Sequence, residues 1–140
     1  VKVNRRVRKK TFQHIEQELF FYDETKKDIE MIRNEILHGT RQVDNPDGGK
    51  SNLPGDPTGS KAVQLSSDEL GGMERVIEAI EKVYQLSDKR TQEFIKSFYF
   101  AKPRTLTIEG VAQKLYVSRR NVFYIRHNIV RRLAVELGWW

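Results

Sequence analysis

Residues 107–133 read TIEGVAQKLYVSRRNVFYIRHNIVRRL, and the fold turns on how this stretch is divided. Thr107 is a good N-cap, because its hydroxyl can accept from a free amide of the first turn. A short helix over Ile108–Leu115 follows. Tyr116 sits where the chain must turn, Val117 fills the corner, and Ser118 can cap a second helix. In that second helix Val122, Ile125, Ile129 and Leu133 recur at steps of three, four and four, which is one buried stripe. Ala112 is small enough for the second helix to cross close above the first. The pattern is that of a helix-turn-helix. Its turn departs from the usual one, which favours Gly in a left-handed conformation. Tyr116 there costs about 1–2 kcal/mol, tolerable if its ring packs.

Once one face is buried, the opposite face is set outward. At about 100° per residue, Arg120, Tyr124, His127 and Arg131 form a stripe opposite Val122 and Ile129. Arg119 and Asn121 lie in the first turn, where a recognition helix meets base edges. Arg can bond guanine through two N–H groups, Asn can bond adenine, and Tyr or His can stack or reach phosphate. The expected DNA-binding set is Ser118, Arg119, Arg120, Asn121, Tyr124, His127, Asn128 and Arg131. Arg104, Thr107, Lys114 and Arg126 are weaker candidates for phosphate contact. Arg126 lies at the flank of the buried stripe and takes a structural or phosphate role. The alternative for the whole stretch is a basic helical hairpin that binds protein.

Charge distribution bears on that choice. Of 140 residues, 25 are Lys or Arg and 19 are Asp or Glu, a net charge of +6. Residues 1–10, VKVNRRVRKK, carry +6 and residues 103–140 carry +5, which leaves −5 between them. Two basic ends around an acidic middle suit a polyanionic partner, since released counterions drive nucleic-acid binding. A solvated tail and a solvated helix face account for the charge equally well.

The remainder reads as helix and linker, in an all-α chain. Lys10 to about Leu37 lacks Pro and Gly, with Ile15, Leu19, Tyr22, Ile29, Ile32 and Ile36 at mostly helical spacing, and His38-Gly39 ends it. A break near residues 22–25 would make it a helical hairpin. Residues 40–66 are rich in Gly, Pro, Asp and Ser and are expected to be a flexible linker. Helix resumes near Ser67 or Asp68, with Leu70, Met73, Val76, Ile77, Ile80 and Val83 inward and Gly71-Gly72 weakening the first turn. Leu86-Ser87-Asp88 breaks and recaps the chain. The next helix carries Phe94, Ile95, Phe98 and Tyr99 and stops before Pro103. Its FYF cluster could stack on bases, but core packing is the simpler expectation. Three parts result: residues 1–39 (basic tail and helical element), 40–66 (linker) and 67–140 (a multi-helix domain containing the helix-turn-helix). The expected core of the last is Met73, Val76, Ile77, Ile80, Phe94, Ile95, Phe98, Ile108, Val111, Ala112, Leu115, Val117, Val122, Ile125, Ile129 and Leu133. Trp139 and Trp140 either fold back onto it or mark an interface.

Other function classes find little here. With no cysteine, disulfides, zinc ribbons and thiol nucleophiles are excluded. His14, His38 and His127 lack metal-ligand spacing, and GDPTGSK lacks the flanking strand and lysine position of a phosphate-binding loop. No catalytic residues, metal or cofactor are expected. No apolar run reaches the ~20 residues needed to cross a bilayer. The basic start runs into polar TFQHIEQE, so no secretory leader is expected.

The order EILHG, Gly/Pro linker, ERVIEAIEKVY, KRTQEFIKSFYF and TIEGVAQKLYVSRRNVFYIRHNIVRRLAVELG resembles the RinA/ArpU group of phage late-gene transcriptional activators. The last block is also similar to region four of sigma factors, which reads the −35 promoter element. The resemblance covers most of the chain, most specifically at FIKSFYF and SRRNVFYIRHNIVRRLAVELG. It implies double-stranded DNA and bacterial RNA polymerase as partners, in the host cytoplasm, with the N-terminal element as a polymerase-contact or homo-oligomer surface. The rival in the same class is a phage small terminase subunit, which joins a helix-turn-helix to oligomerisation helices and binds the packaging site. A helical adaptor that binds an acidic protein surface is the third reading.

Overall fold

A computed structural model describes residues 6–38 and 67–140, and the backbone of residues 57–66. Every regular element among the described residues is helical. The order is α1 (Lys9–Phe20), α2 (Tyr22–His38), α3 (Pro57–Leu86), α4 (Lys89–Phe94), α5 (Ile108–Leu115) and α6 (Arg119–Leu137). A π-helical turn, Ile95–Phe100, continues α4.

The N-terminal helix is a pair, broken at Phe21, one residue before the expected break. Helix α3 begins at Pro57, ten residues before the expected resumption. A proline in the first turn lacks only an N–H that no helical carbonyl would accept, so it starts a helix as readily as it ends one. Gly71 and Gly72 consequently lie inside a helix and not in its first turn. The rest of the linker, residues 40–56, lies outside the described residues.

One core joins elements from both ends of the sequence. Ile15 and Leu19 of α1 sit at 1% exposure in the same cluster as Ile80, Phe94, Tyr99, Val111, Val122, Ile129 and Leu133. Helix α2 lies along α3, and α6 is touched by α1, α3, α4 and α5. Most of the expected core is buried or packs against this cluster, while Met73 is only half-buried and lies outside it. The FYF cluster packs: Tyr99 is fully buried, and Phe98 and Phe100 lie against the core. Tyr22 stacks on Phe100 with ring centroids 4.5 Å apart, which clamps the start of α2 to the π turn.

Helix α6 buries more than the stripe read from its periodicity. Val130, Ala134 and Leu137 join Val122, Ile125, Ile129 and Leu133 inside. The inward sector is thereby about 180° wide at 100° per residue, a helix covered from two sides. Arg126 then lies within this sector, not at its flank. Its placement is made tolerable by Glu16 of α1, 7% exposed, whose carboxylate accepts from Arg126 Nε at 2.7 Å and Nη2 at 2.5 Å. Tyr99 Oη donates to the same carboxylate at 2.7 Å. An unpaired carboxylate there would be costly, and two forked N–H bonds plus a hydroxyl satisfy it.

The C-terminus folds back. Gly138 adopts φ +70°, and Trp139 N–H donates to Ala134 O at 2.9 Å, which closes α6 with a Schellman motif. Trp139 then packs on the core with its ring 4.9 Å from His14, and the Trp140 carbonyl accepts from Thr11 Oγ1 at 2.6 Å. Of the two readings for the tryptophans, folding back is the one observed.

Candidate nucleic-acid interface

The two helices of the opening stretch are set by their own capping groups. Thr107 Oγ1 accepts from Gly110 N–H and Ser118 Oγ from Asn121 N–H, each at 3.1 Å. Between them Tyr116 takes the left-handed conformation, φ 55° and ψ 42°. Val117 N–H donates to Ala112 O at 3.0 Å and Tyr116 N–H to Gln113 O at 3.3 Å. This is again the Schellman pattern, with a bulky residue where glycine is usual. Val117 packs against the core beside Ala112, as its corner role requires.

The Tyr116 ring, in contrast, does not pack. It is 95% exposed. The left-handed backbone is therefore held by the two cap hydrogen bonds and by Val117, with no help from the side chain. A tyrosine fully in water at a conformation that disfavours it is a residue the expected interface omitted. Its only signal in the sequence is an aromatic standing at a position that prefers Gly.

The structure divides the outward stripe of α6 into two halves. Arg120 and Tyr124 are open to solvent, Tyr124 at 71%. Arg119, also exposed, pairs with Glu109 across the two helices at 3.2 Å and lies over the Phe123 ring at 5.5 Å. An exposed pair of this kind holds Arg119 by ~1 kcal/mol at most, so a stronger anion can take it. Asn121 is half-buried, with its backbone N–H on the cap. These residues and Tyr116 occupy one end of the α5–α6 unit.

The second half lies elsewhere. His127 is exposed, but its ring meets Phe12 of α1 at 4.9 Å. Arg131 borders the same helix-to-helix cleft, and Asn128 lies beside Leu86 and Arg132, toward the end of α3. Among the weaker candidates, Arg104 sits over the Phe20 ring at 3.6 Å, Thr107 acts as a cap, and Lys114 is exposed in the last turn of α5. Arg126 is ion-paired with Glu16. Its hydrogen bonds to the Glu16 carboxylate raise its pKa, and its guanidinium lies 5.5 Å from the Phe12 ring. Burial, with Glu16 beside it, pushes the Tyr99 hydroxyl well above the usual phenol range, so it stays a donor.

The family described as "Protein of unknown function (DUF722)" matches residues 7–135, from the start of the described chain to near the end of α6. The chain belongs to this family. The match takes in both α1 and α6, the two DUF722 segments that the Glu16–Arg126 pair joins. The chain is also 29% identical over 131 residues, 91% of each protein, to "Transcriptional activator rinA" of Staphylococcus phage phi11. The resemblance to RinA-type phage activators thus extends along nearly the whole chain. No solved structure matches this chain. No helix among the described residues is long and apolar enough to cross a membrane, and none of their His, Asp and Glu side chains group as a metal site.

Proposed function

We propose that this protein is a sequence-specific, double-stranded-DNA-binding regulator of phage transcription, an activator of late genes that works with bacterial RNA polymerase in the host cytoplasm. The α5–turn–α6 unit is its DNA-binding helix-turn-helix. The observation that carries the reading is the open N-terminal end of α6, where Arg119, Arg120 and Tyr124 are exposed beside the half-buried Asn121, on a helix whose opposite face is locked into the core. A rigid helix with a basic, hydrogen-bonding free end is what major-groove readout needs. The RinA relative, which carries the name transcriptional activator, supports the choice of activation over packaging.

Footprinting over the upstream regions of the phage's own late genes, with and without host polymerase, tests this directly. The expected result is a discrete protected site and a polymerase-dependent rise in transcript. Protection confined to a packaging site, or no protection anywhere, overturns the reading. Arg120→Ala should relax sequence discrimination by about 1–3 kcal/mol with the fold intact, measured as the ratio of affinities for the footprinted and a scrambled duplex. Asn121→Ala is expected to act at a different base position.

A further inference from the structure

A second concavity of α6 lies away from its open end. It is a cleft of about 930 Å³ between the chain entering α1 and the later turns of α6, bordered by Arg6, Arg8, Lys9, Phe12, His127 and Arg131. Arg126 and Glu16 also line it, and they are satisfied by each other. The other cationic residues that line the cleft, Arg6, Arg8, Lys9 and Arg131, come from two segments more than a hundred residues apart in sequence. Arg6, Arg8 and Lys9 are all exposed, so their charge is presented to solvent.

We infer that this cleft is a phosphodiester-binding site for the DNA backbone, separate from the base-reading end of α6. Three observations carry the choice of ligand. The cations sit on both walls, as a strand held between them requires, whereas a solvated tail would show no such convergence. The lining includes the Phe12 ring against His127, a surface that accepts a sugar edge as well as water. The cleft lies on α6 itself, two to three turns beyond Arg120, about 10–16 Å along the axis at 1.5 Å per residue. A duplex whose bases meet Arg120 therefore brings its backbone within reach of His127 and Arg131. Phosphate contacts of this kind fix register without reading sequence. The inference rests on the DNA-binding reading above and assigns the N-terminal arm a place in it.

The test uses the full chain and two probes, the footprinted duplex and a random-sequence duplex, with affinity followed across salt. Arg6→Ala/Arg8→Ala/Lys9→Ala should flatten the plot of log K against log salt by about two to three for both duplexes, at ~0.9 for each phosphate no longer neutralised. The ratio of the two affinities should stay unchanged. Lys27→Ala/Arg75→Ala/Lys89→Ala removes equal charge from exposed positions outside the cleft and should leave the slope near that of the parent. Combining the arm variant with Arg131→Ala should cost less than the two separate effects added, because both walls hold one strand. An unchanged slope, equal flattening by the remote control, or strict additivity overturns the site. Loss of discrimination in the arm variant also overturns it, since the arm would then be reading bases. Failure of the parent chain to prefer the footprinted duplex sinks the DNA-reading function itself, which is a different result from failure of the cleft.

Discussion

Tyr116 shows how one side chain can contradict its backbone. The left-handed conformation was legible from its place between Leu115 and Val117, but the fate of its ring was not. Because the ring is not packed, Tyr116→Gly should relieve backbone strain and raise stability by about 0.5–1 kcal/mol, read by urea denaturation. A fall in stability would mean that the exposed ring is held by something more than its own turn. Glu16 teaches the opposite lesson. In sequence it is one acid among many on a polar helix, and nothing marks it as buried. Glu16→Gln leaves Arg126 with a neutral partner inside the core and should cost roughly 2–3 kcal/mol, below the value for a fully buried pair because Arg126 keeps a quarter of its side chain in water. Tyr99 adds a pH signature. Its folded pKa is raised, so its contribution to stability is complete below the unfolded phenol value of about 10 and is lost as pH climbs above it. Stability measured through that range should fall in the parent and fall less steeply in Tyr99→Phe.

At the scale of elements, the N-caps of α4, α5 and α6 were legible in the sequence. Thr107, Ser118 and Asp88 each accept the backbone N–H expected of an N-cap, because capping is decided within four residues. Ser118→Ala should cost about 1 kcal/mol and fray the first turn of α6, seen as faster amide exchange at Asn121. Since that turn carries Arg119 and Arg120, DNA affinity should fall with it. The start of α3 lies earlier than the spacing of apolar residues predicts, because composition alone cannot tell a proline that opens a helix from one that bars it. The width of the buried sector on α6 was underestimated for a related reason. Periodicity finds the stripe toward one neighbour, and α6 has neighbours on two sides.

At the scale of the molecule, α1 decides what the C-terminal helices can be. Ile15 and Leu19 are buried in the core that α6 completes, and Glu16, Phe12, Thr11 and His14 tie α1 to Arg126, His127 and the terminal tryptophans. A fragment starting at residue 67 lacks all of these ties, uncovers the apolar surface that Ile15 and Leu19 cover, and leaves Arg126 without Glu16. It should melt at least 10 °C below the full chain or cease to melt cooperatively, followed by circular dichroism, on the basis that ~1 kcal/mol moves Tm by several degrees in a domain of this size. Recovery of a cooperative transition on adding a peptide of residues 6–38 would confirm that α1 and α2 supply the missing core.

The sequence by itself determined the helical character of the chain, the N-caps of α4, α5 and α6, the left-handed turn at Tyr116 and the face of α6 that carries Arg120 and Tyr124. Each depends on neighbours within a turn or two, where residue type and spacing act directly. Only the tertiary structure decided that α1 packs across α6, that Glu16 is the partner of Arg126, and that Arg6, Arg8 and Lys9 meet His127 and Arg131 at one cleft. Those pairings span more than a hundred residues, and no local preference encodes which acid will be carried to which base. Packing of the shared apolar core sets the helices against each other, and the charges are brought together as a consequence.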